Sequence, residues 1–584
     1  MMIAVVLSAN IRKMIKDNVL VRKPVGLEAA GSMNILFTDK KGTLTNGKMS
    51  VRGIILGNGK EYSSYSSMKS SCSSLGEIYR LSCVANTDTS PGARKTIVGG
   101  NSTDKALAAS LGDDYFLSDR GKVVKKQAFD SSRKYSSADV RVGKELRRFV
   151  KGAPDRLMIH VEKYVDEYGE STFLGFDEKK DLVLRIKSYA AQGERMILIC
   201  IDDKGDMSSL TMIAAVAVTD KVRNDARKSV EALCMAGIQV VMITGDSKET
   251  AECIAKKCGL ITSERNLILG GDELSKLSDA EVKKLLPSLA VVSRALPFDK
   301  SRLVRIAQEM ELVVGMTGDG INDAPALKRA DIGFSMGSGT GVAKDAGDII
   351  ILDDRLASIV KAVLYGRNIF KSIRKFITLQ LTMNFSAVGV SMIGPFIGYE
   401  APVTVAQMLW INIVMDTLGG LAFAGEAASE RCMRESPKRR DEPILNGYMV
   451  NQIFFLGSFT IALCLGMLLL PGISGHFRYM KDDVVLLTAF FTLFIFTSVF
   501  NCFNARSDRI RLFSGLTGNP MFMLIMSAVC VIQLVFTYLG GAVLRTVPLT
   551  VGELGYTMLL SMLVFPFDIL RKLLWRLRGK KEGF

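Results

Sequence analysis

At 584 residues the chain is too long for one hydrophobic core, so several domains are expected. Apolar residues make up 48% of it, which excludes an ordinary soluble enzyme and points to a membrane part. The net charge of +16 needs no nucleic-acid partner, because the Lys/Arg clusters sit beside apolar spans as in cytoplasmic membrane loops, and ten cysteines without a CxxC pair beside two histidines exclude a disulfide scaffold and a zinc site.

In chain order, residues 1–11 are apolar, and the basic stretch Arg12-Lys13-Met14-Ile15-Lys16 follows. The charge is on the wrong side for a signal peptide, and the segment is short of the ~20 residues a bilayer span takes. It is expected to be the inner end of a longer helix, with residues 1–30 forming that remnant and a stalk. The run Ile35-Leu36-Phe37 then stops at Thr38-Asp39, before Lys40, Lys41 and Gly42-Thr43. A carboxylate ending a buried strand before a glycine turn is a common place for a nucleophile.

Further apolar runs end in polar residues: "IQVVMITGD" at Asp246, "LAVVSRA" at Arg294 and "ELVVGMTGDG" at Asp319. Helical patterns lie between them. In 222–236, Ala226, Val230 and Leu233 share a face and Gly237 can end the helix. This alternation predicts an α/β, doubly wound parallel sheet built from residues 31–50 and 216–358. Ligands bind beyond the carboxyl ends of such strands, so Asp39, Thr244, Gly245, Asp246, Arg294 and Asp319 should converge on one crevice. Three carboxylates there, Asp39, Asp246 and Asp319, repel one another unless a cation such as Mg²⁺ sits among them with a phosphate. Lys300, opening the helical stretch "KSRLVRIAQEM", can neutralise a transferring phosphoryl group, and the whole set points to an aspartyl-phosphate.

Residues 51–215 interrupt the sheet and should form a separate α+β domain. "AFDSSRKYSS" offers Phe129, Arg133 and Lys134, and "FVKGAPDR" adds Lys151 and Gly152. A ring and cations suit an adenine and phosphates; taken alone Phe129 more often reads as core and the lysines as a solvated face, and the neighbouring crevice favours the nucleotide.

From 359 to 584 the chain reads as a membrane domain with six spans, about 376–397, 403–424, 449–470, 484–504, 520–543 and 554–575. An even count leaves the basic loops and tail on one side, so the bulk of the chain should be cytoplasmic. Asn384 lies in one span, and Asn412 and Asp416, four apart on one helix face, lie in the next. Their oxygens suit Ca²⁺ or Mg²⁺, with interhelical hydrogen bonding as the plainer role. Asn501, Gln533 and Asp568 read as structural.

On these motifs the chain resembles the P-type ATPases, and among them the calcium-transporting pumps. Lys40, Gly42, Thr43, Leu44 and Thr45 match the family's DKTGTLT around Asp39, and "TGD" at 244–246, "RALPFDK" at 294–300, "TGDGINDAPALKRADIGFSMG" at 317–337 and "KGAP" at 151–154 match too. "STDKAL" at 102–107, with Asp104, resembles the nucleotide-domain acidic motif, and "DKVR" at 220–223 the hinge. The resemblance implies a haloacid-dehalogenase-like phosphorylation domain, a nucleotide-binding domain and a six-helix membrane bundle. It implies catalytic roles for Asp39, Lys300, Thr244, Gly245, Asp246 and Asn322. It also implies Mg²⁺ on Asp39, Asp319 and the Lys41 carbonyl, and ATP on Phe129, Arg133, Lys134, Lys151, Gly152, Arg195, Arg294 and Asp104. Asn384, Asn412 and Asp416 match calcium ligands of the fifth and sixth helices. Ala387, Met415 and Ser498, where the sarcoplasmic-reticulum type has further ligands, make the pattern that of the plasma-membrane type, with a multi-pass protein of the cell membrane.

Two departures stand out. The family's actuator domain, first three helices and Pro-Glu-Gly-Leu-Pro break are missing, so the chain by itself is expected to be inactive, whether as a fragment or beside a separately encoded N-terminal half. Lys41 stands where the family has threonine, and it is expected to pair with Asp39 or Asp319, compete with Mg²⁺ and hamper transfer. A non-catalytic ATP-binding relative and a membrane-tethered aspartate phosphatase are the other readings, and calcium is not separated from manganese.

Overall fold

The computed structural model describes residues 2–117, 122–130, 133–143, 145–399, 401–426, 429–438, 440, 442–480, 483–507, 510, 512 and 516–578. Its apolar strand runs assemble into an eight-stranded sheet. The order is Val19–Val21, Ile349–Ile351, Ile332–Met336, Val314–Gly318, Ile35–Asp39, Gln239–Ile243, Leu289–Ser293 and Leu267–Gly270. All neighbours are parallel except the first pair. Ile35–Asp39 is central and buried up to Thr38, so its continuous apolar run has helices on both sides. Helix Pro297–Glu309 begins with proline at its first position, and Asp299 accepts from the Leu296 N–H at 2.8 Å. That start fixes where Lys300 points.

Two long strands, Thr45–Ile55 and Leu210–Val222, leave the first sheet as an antiparallel pair and lead into a second one. From Leu210–Val222 it continues through Arg195–Asp202, Glu145–Gly152 and Tyr135–Val142 to the edge strand Lys122–Asp130. Strand side chains alternate between faces, and each face has its own core. One gathers Tyr65, Leu75, Tyr79, Leu107 and Phe149; the other gathers Val150, Leu182, Ile186, Leu198 and Met212.

Five helices among the described residues are long and apolar enough to cross a membrane: Leu356–Ile397, Val405–Ala424, Gly447–Leu469, Val484–Arg506 and Pro520–Leu539. The expected sixth span, 554–575, is instead two helices, Val551–Met562 and Val564–Leu577. Pro566 explains the break, since its ring nitrogen cannot donate to the Met562 carbonyl that a continuous helix would offer it. Val484–Arg506 is the most enclosed of the set. The polar residues read as structural have partners: Gln533 accepts from Trp410 at 3.1 Å, Asn501 from Asn504 at 3.2 Å, and Asp568 pairs with Arg571 and Lys572.

The helix Leu356–Ile393 joins the two halves. Gly31 and Gly366 face each other where helix Val25–Ser32 crosses it; a Cβ on Gly366 would lie 2.4 Å from the Leu27 carbonyl. The next residue, Arg367, is buried and forms no ion pair among the described residues. Its guanidinium donates to the carbonyls of Gly31 (3.2 Å), Ala236 (2.7 Å), Cys432 (2.7 Å) and Glu435 (2.7 Å). One side chain thus fastens the first sheet's helices and the loop after the second span to the same helix.

Candidate active site

The central strand delivers Asp39 to the carboxyl edge of the sheet, where its N–H donates to Thr317 Oγ1 at 2.9 Å. Its Oδ1 accepts from the Lys40 N–H at 2.8 Å, and its Oδ2 lies 3.4 Å from Lys300 Nζ. Gly42 follows with φ +73°, a left-handed conformation that favours glycine, and a Cβ there would come within 3.3 Å of Asp319 Oδ2. Arg223, from the second connecting strand's end, donates to the carbonyls of Gly42 (2.9 Å) and Thr45 (3.1 Å), fixing the turn from below.

The three carboxylates that meet are Asp39, Asp319 and Asp323, with one oxygen of each within 4.8 Å of the others. This corrects the expectation for Asp246, which turns to the buried Lys40 at 3.0 Å. Asp323 takes its place: its Oδ1 accepts from Lys300 at 2.6 Å, and its Oδ2 from the N–H groups of Asp319 and Gly320. Four residues past Asp319 in the same polar loop, Asp323 was open to recognition in "TGDGIND". Burial, then Asp323 and Asp319, push the Asp39 carboxyl above its usual range against the pull of Lys300, and burial and Asp323 do the same to Asp319. Burial works against the Lys300 ammonium, but Asp39 and Asp323 outweigh it and hold its pKa up. Hard oxygens this close, two of them reluctant to ionise, together with the buried and unpartnered Thr43 hydroxyl, fit a Mg²⁺–phosphate group.

Thr244 is buried, and its Oγ1 accepts from the Asp246 N–H at 3.2 Å. Gly245 stands exposed with open space where a Cβ would be. Asn322 and Arg294 are exposed, Arg294 with φ +51°. Lys41 is also exposed and forms no ion pair among the described residues, so the expected pairing with Asp39 or Asp319 is absent. The alternation of the chain puts Lys40 inward and Lys41 outward.

In the second sheet a cavity of about 690 Å³ is lined by Phe129, Lys134, Lys151, Gly152, Arg195 and Asp104. Phe129 is 54% exposed, so it is no core residue. Arg133 does not join them: its guanidinium lies 4.0 Å from Asp130 and over the Tyr135 ring. Arg294 belongs to the other crevice, at the end of strand Leu289–Ser293.

In the spans, Asn384 and Asn412 are exposed, and neither amide has a hydrogen-bond partner among the described residues. The side chain of Asp416 lies outside the described residues. The backbone around it, Ile413–Gly419, is a π-helical turn, a deviation that often marks functional positions.

Residues 33–331 match the model of the haloacid dehalogenase-like hydrolases, and residues 400–574 that of the cation-transporting ATPase C-terminus. Among curated proteins, the chain is 34% identical over 562 residues to a putative plasma membrane-type calcium-transporting ATPase of Arabidopsis thaliana, covering 92% of this chain and 54% of that one. It is 33% identical over 590 residues to a plasma membrane-type calcium-transporting ATPase of Oryza sativa subsp. japonica, covering 96% and 58%. The chain thus spans little more than half the length of these relatives. The chain belongs to the haloacid dehalogenase-like hydrolases, and its C-terminal region is similar to that of cation-transporting ATPases.

Proposed function

We propose that this chain is the phosphorylated, nucleotide-binding and membrane portion of an ATP-driven calcium transporter of the cell membrane. The observation that carries the reading is Asp39 at the end of the central strand, with Lys300 at 3.4 Å and Asp319 and Asp323 in the same cluster. A carboxylate oxygen of Asp39 attacks the γ-phosphorus of ATP. The bond from that phosphorus to the β,γ-bridging oxygen breaks, and ADP leaves with the electron pair. Lys300, held by Asp323, neutralises charge on the transferring group, and the exposed Gly245 lets the phosphoryl oxygens approach the backbone. Asp39, Asp319 and the Lys41 carbonyl would hold Mg²⁺, which supplies charge neutralisation when bound.

In the cavity Phe129 gives the base a stacking face, and Lys134 and Arg195 meet the polyphosphate. Asn384, Asn412 and Asp416 supply oxygens to the transported ion; unpartnered amides inside a span favour that role over a packing one. The relatives' names specify calcium. The test is ATP-derived phosphorylation of membranes carrying the chain completed with the actuator domain and first helices of a related pump, with free calcium raised from chelated to micromolar levels. Labelling that rises with calcium and is blunted in Asp416→Asn is the expected result. Labelling indifferent to both would contradict calcium as the cargo.

A further inference from the structure

The second sheet carries another cavity, of about 570 Å³, beside the one that holds Phe129 and Lys151. Ala153 and Met196 line both, so the two cavities share a wall. One side of the second cavity is helix Phe176–Ala191, on which Lys179, Val183, Ile186, Lys187 and Ala190 recur at helical spacing and share a face. The other side is the turn from Pro154 to Ile159. Helices Pro154–Leu157 and Phe176–Ala191 both pack on strand Arg195–Asp202, and the small side chains of Ala153 and Ala190 leave the space between them open.

The lining is apolar except for three charges. Asp155 turns to Lys134, a residue of the nucleotide cavity, at 3.2 Å. Lys179 donates to the carbonyls of Val161 (2.7 Å) and Ile159 (3.4 Å), which closes one end of the groove. Lys187 is exposed and has neither a hydrogen bond nor an ion pair among the described residues. At the rim Ile159 is 73% exposed, an apolar side chain left in water beside an apolar groove.

These features select an occupant. From Lys187 back to Lys179 the helix rises about 12 Å, so the groove is long as well as apolar. A peptide helix of that length, about 10 Å across, would fill roughly 900 Å³ and does not fit. A polyphosphate or a metal ion would lose its water to walls that offer it almost no polar partners. A methylene chain ending in a carboxylate meets both demands: the chain takes the walls out of water, and the carboxylate pairs with Lys187.

We propose that this groove binds a long-chain carboxylate, with the chain against Met158, Ile186 and Met196 and the carboxylate on Lys187. The test uses the full chain in lipid nanodiscs and hexadecanoic acid carrying a diazirine in its chain. After illumination, peptide mapping should place label on residues 153–159 and 179–190, besides the label that acid dissolved in the bilayer leaves on the spans. The methyl ester of hexadecanoic acid lacks the charge and should compete for the groove at least about threefold more weakly than the acid, the scale of an exposed ion pair. Lys187→Glu should lower groove labelling by at least about threefold. Ala190→Tyr fills the groove and should lower it by at least about tenfold. Unchanged label on the spans and an unchanged denaturation midpoint show that both variants are folded, and the ester comparison needs no variant. Excess ATP should leave groove labelling in place, because the two cavities are separate sites. Label confined to the spans, label displaced by ATP, an ester that competes as well as the acid, or labelling unmoved by the two substitutions would overturn the proposal.

Discussion

Lys41→Thr restores the residue type of the family pattern beside the nucleophile, and it is expected to change phosphorylation of Asp39 by no more than about threefold. The Lys41 side chain is exposed and forms no ion pair among the described residues, whereas Lys300 and Lys40 are buried and hold the inward positions. An ammonium in bulk water interacts with a carboxylate 4 Å away by only ~1 kcal/mol. Screening over a Debye length of about 8 Å reduces this further for an exposed charge. Since tenfold in rate takes ~1.4 kcal/mol, the remainder falls within about threefold. The assay is acid-quenched labelling from γ-labelled ATP over a time course, with Asp39→Asn as the blank. A rise of tenfold or more in Lys41→Thr would refute the reasoning: it would mean that the lysine reaches the phosphoryl group during turnover and hinders it.

Lys300→Met should lower the same labelling rate by at least about a hundredfold, because a preorganised cation at a developing charge is worth ~3 kcal/mol; a loss under tenfold would remove Lys300 from the transfer step. Arg367→Met leaves four carbonyls without their donor and should destabilise the chain by roughly 3 kcal/mol or more, read from its denaturation midpoint; an unchanged midpoint would show that the junction is held otherwise. Lys438 has its Nζ buried without a hydrogen-bond partner among the described residues, 3.4 Å from the Phe370 ring centre, and burial and the charge of Arg374 lower its pKa to about 7. Its folded value lies below the unfolded one, so the unfolded chain binds the extra proton between about pH 7 and 10, and stability should rise with pH there relative to Lys438→Met. Parallel stability profiles of the two proteins would contradict this.

The strand-end residues were legible because their signal is local. "NILFTD", "MITGD" and "GMTGDG" each carry a continuous apolar strand and the polar residue that ends it. Direction of side chains beyond the strand ends was not. Asp246 and Asp319 look equivalent in sequence, yet only the fold shows that Lys40 faces Asp246 while Asp323 folds back toward Asp39. The Asp104–Lys151 pair joins residues on a helix and a strand that pattern alone does not bring together. Arg133 lies against Asp130 and the Tyr135 ring instead of in the cavity, which no periodicity reports. The sixth span was the reverse case: Pro566 was visible in the chain, and the apolar run around it masked the break.

The most direct measurement is the chemical identity of the phosphorylated residue. After brief exposure of membranes carrying the chain to γ-labelled ATP, acid-stable label should be released by hydroxylamine, as an acyl phosphate is, and peptide mapping should place it on Asp39. The account predicts that Asp39→Asn abolishes this label while leaving ATP binding at the second sheet intact. Hydroxylamine-resistant label, or label that survives in Asp39→Asn, would contradict it.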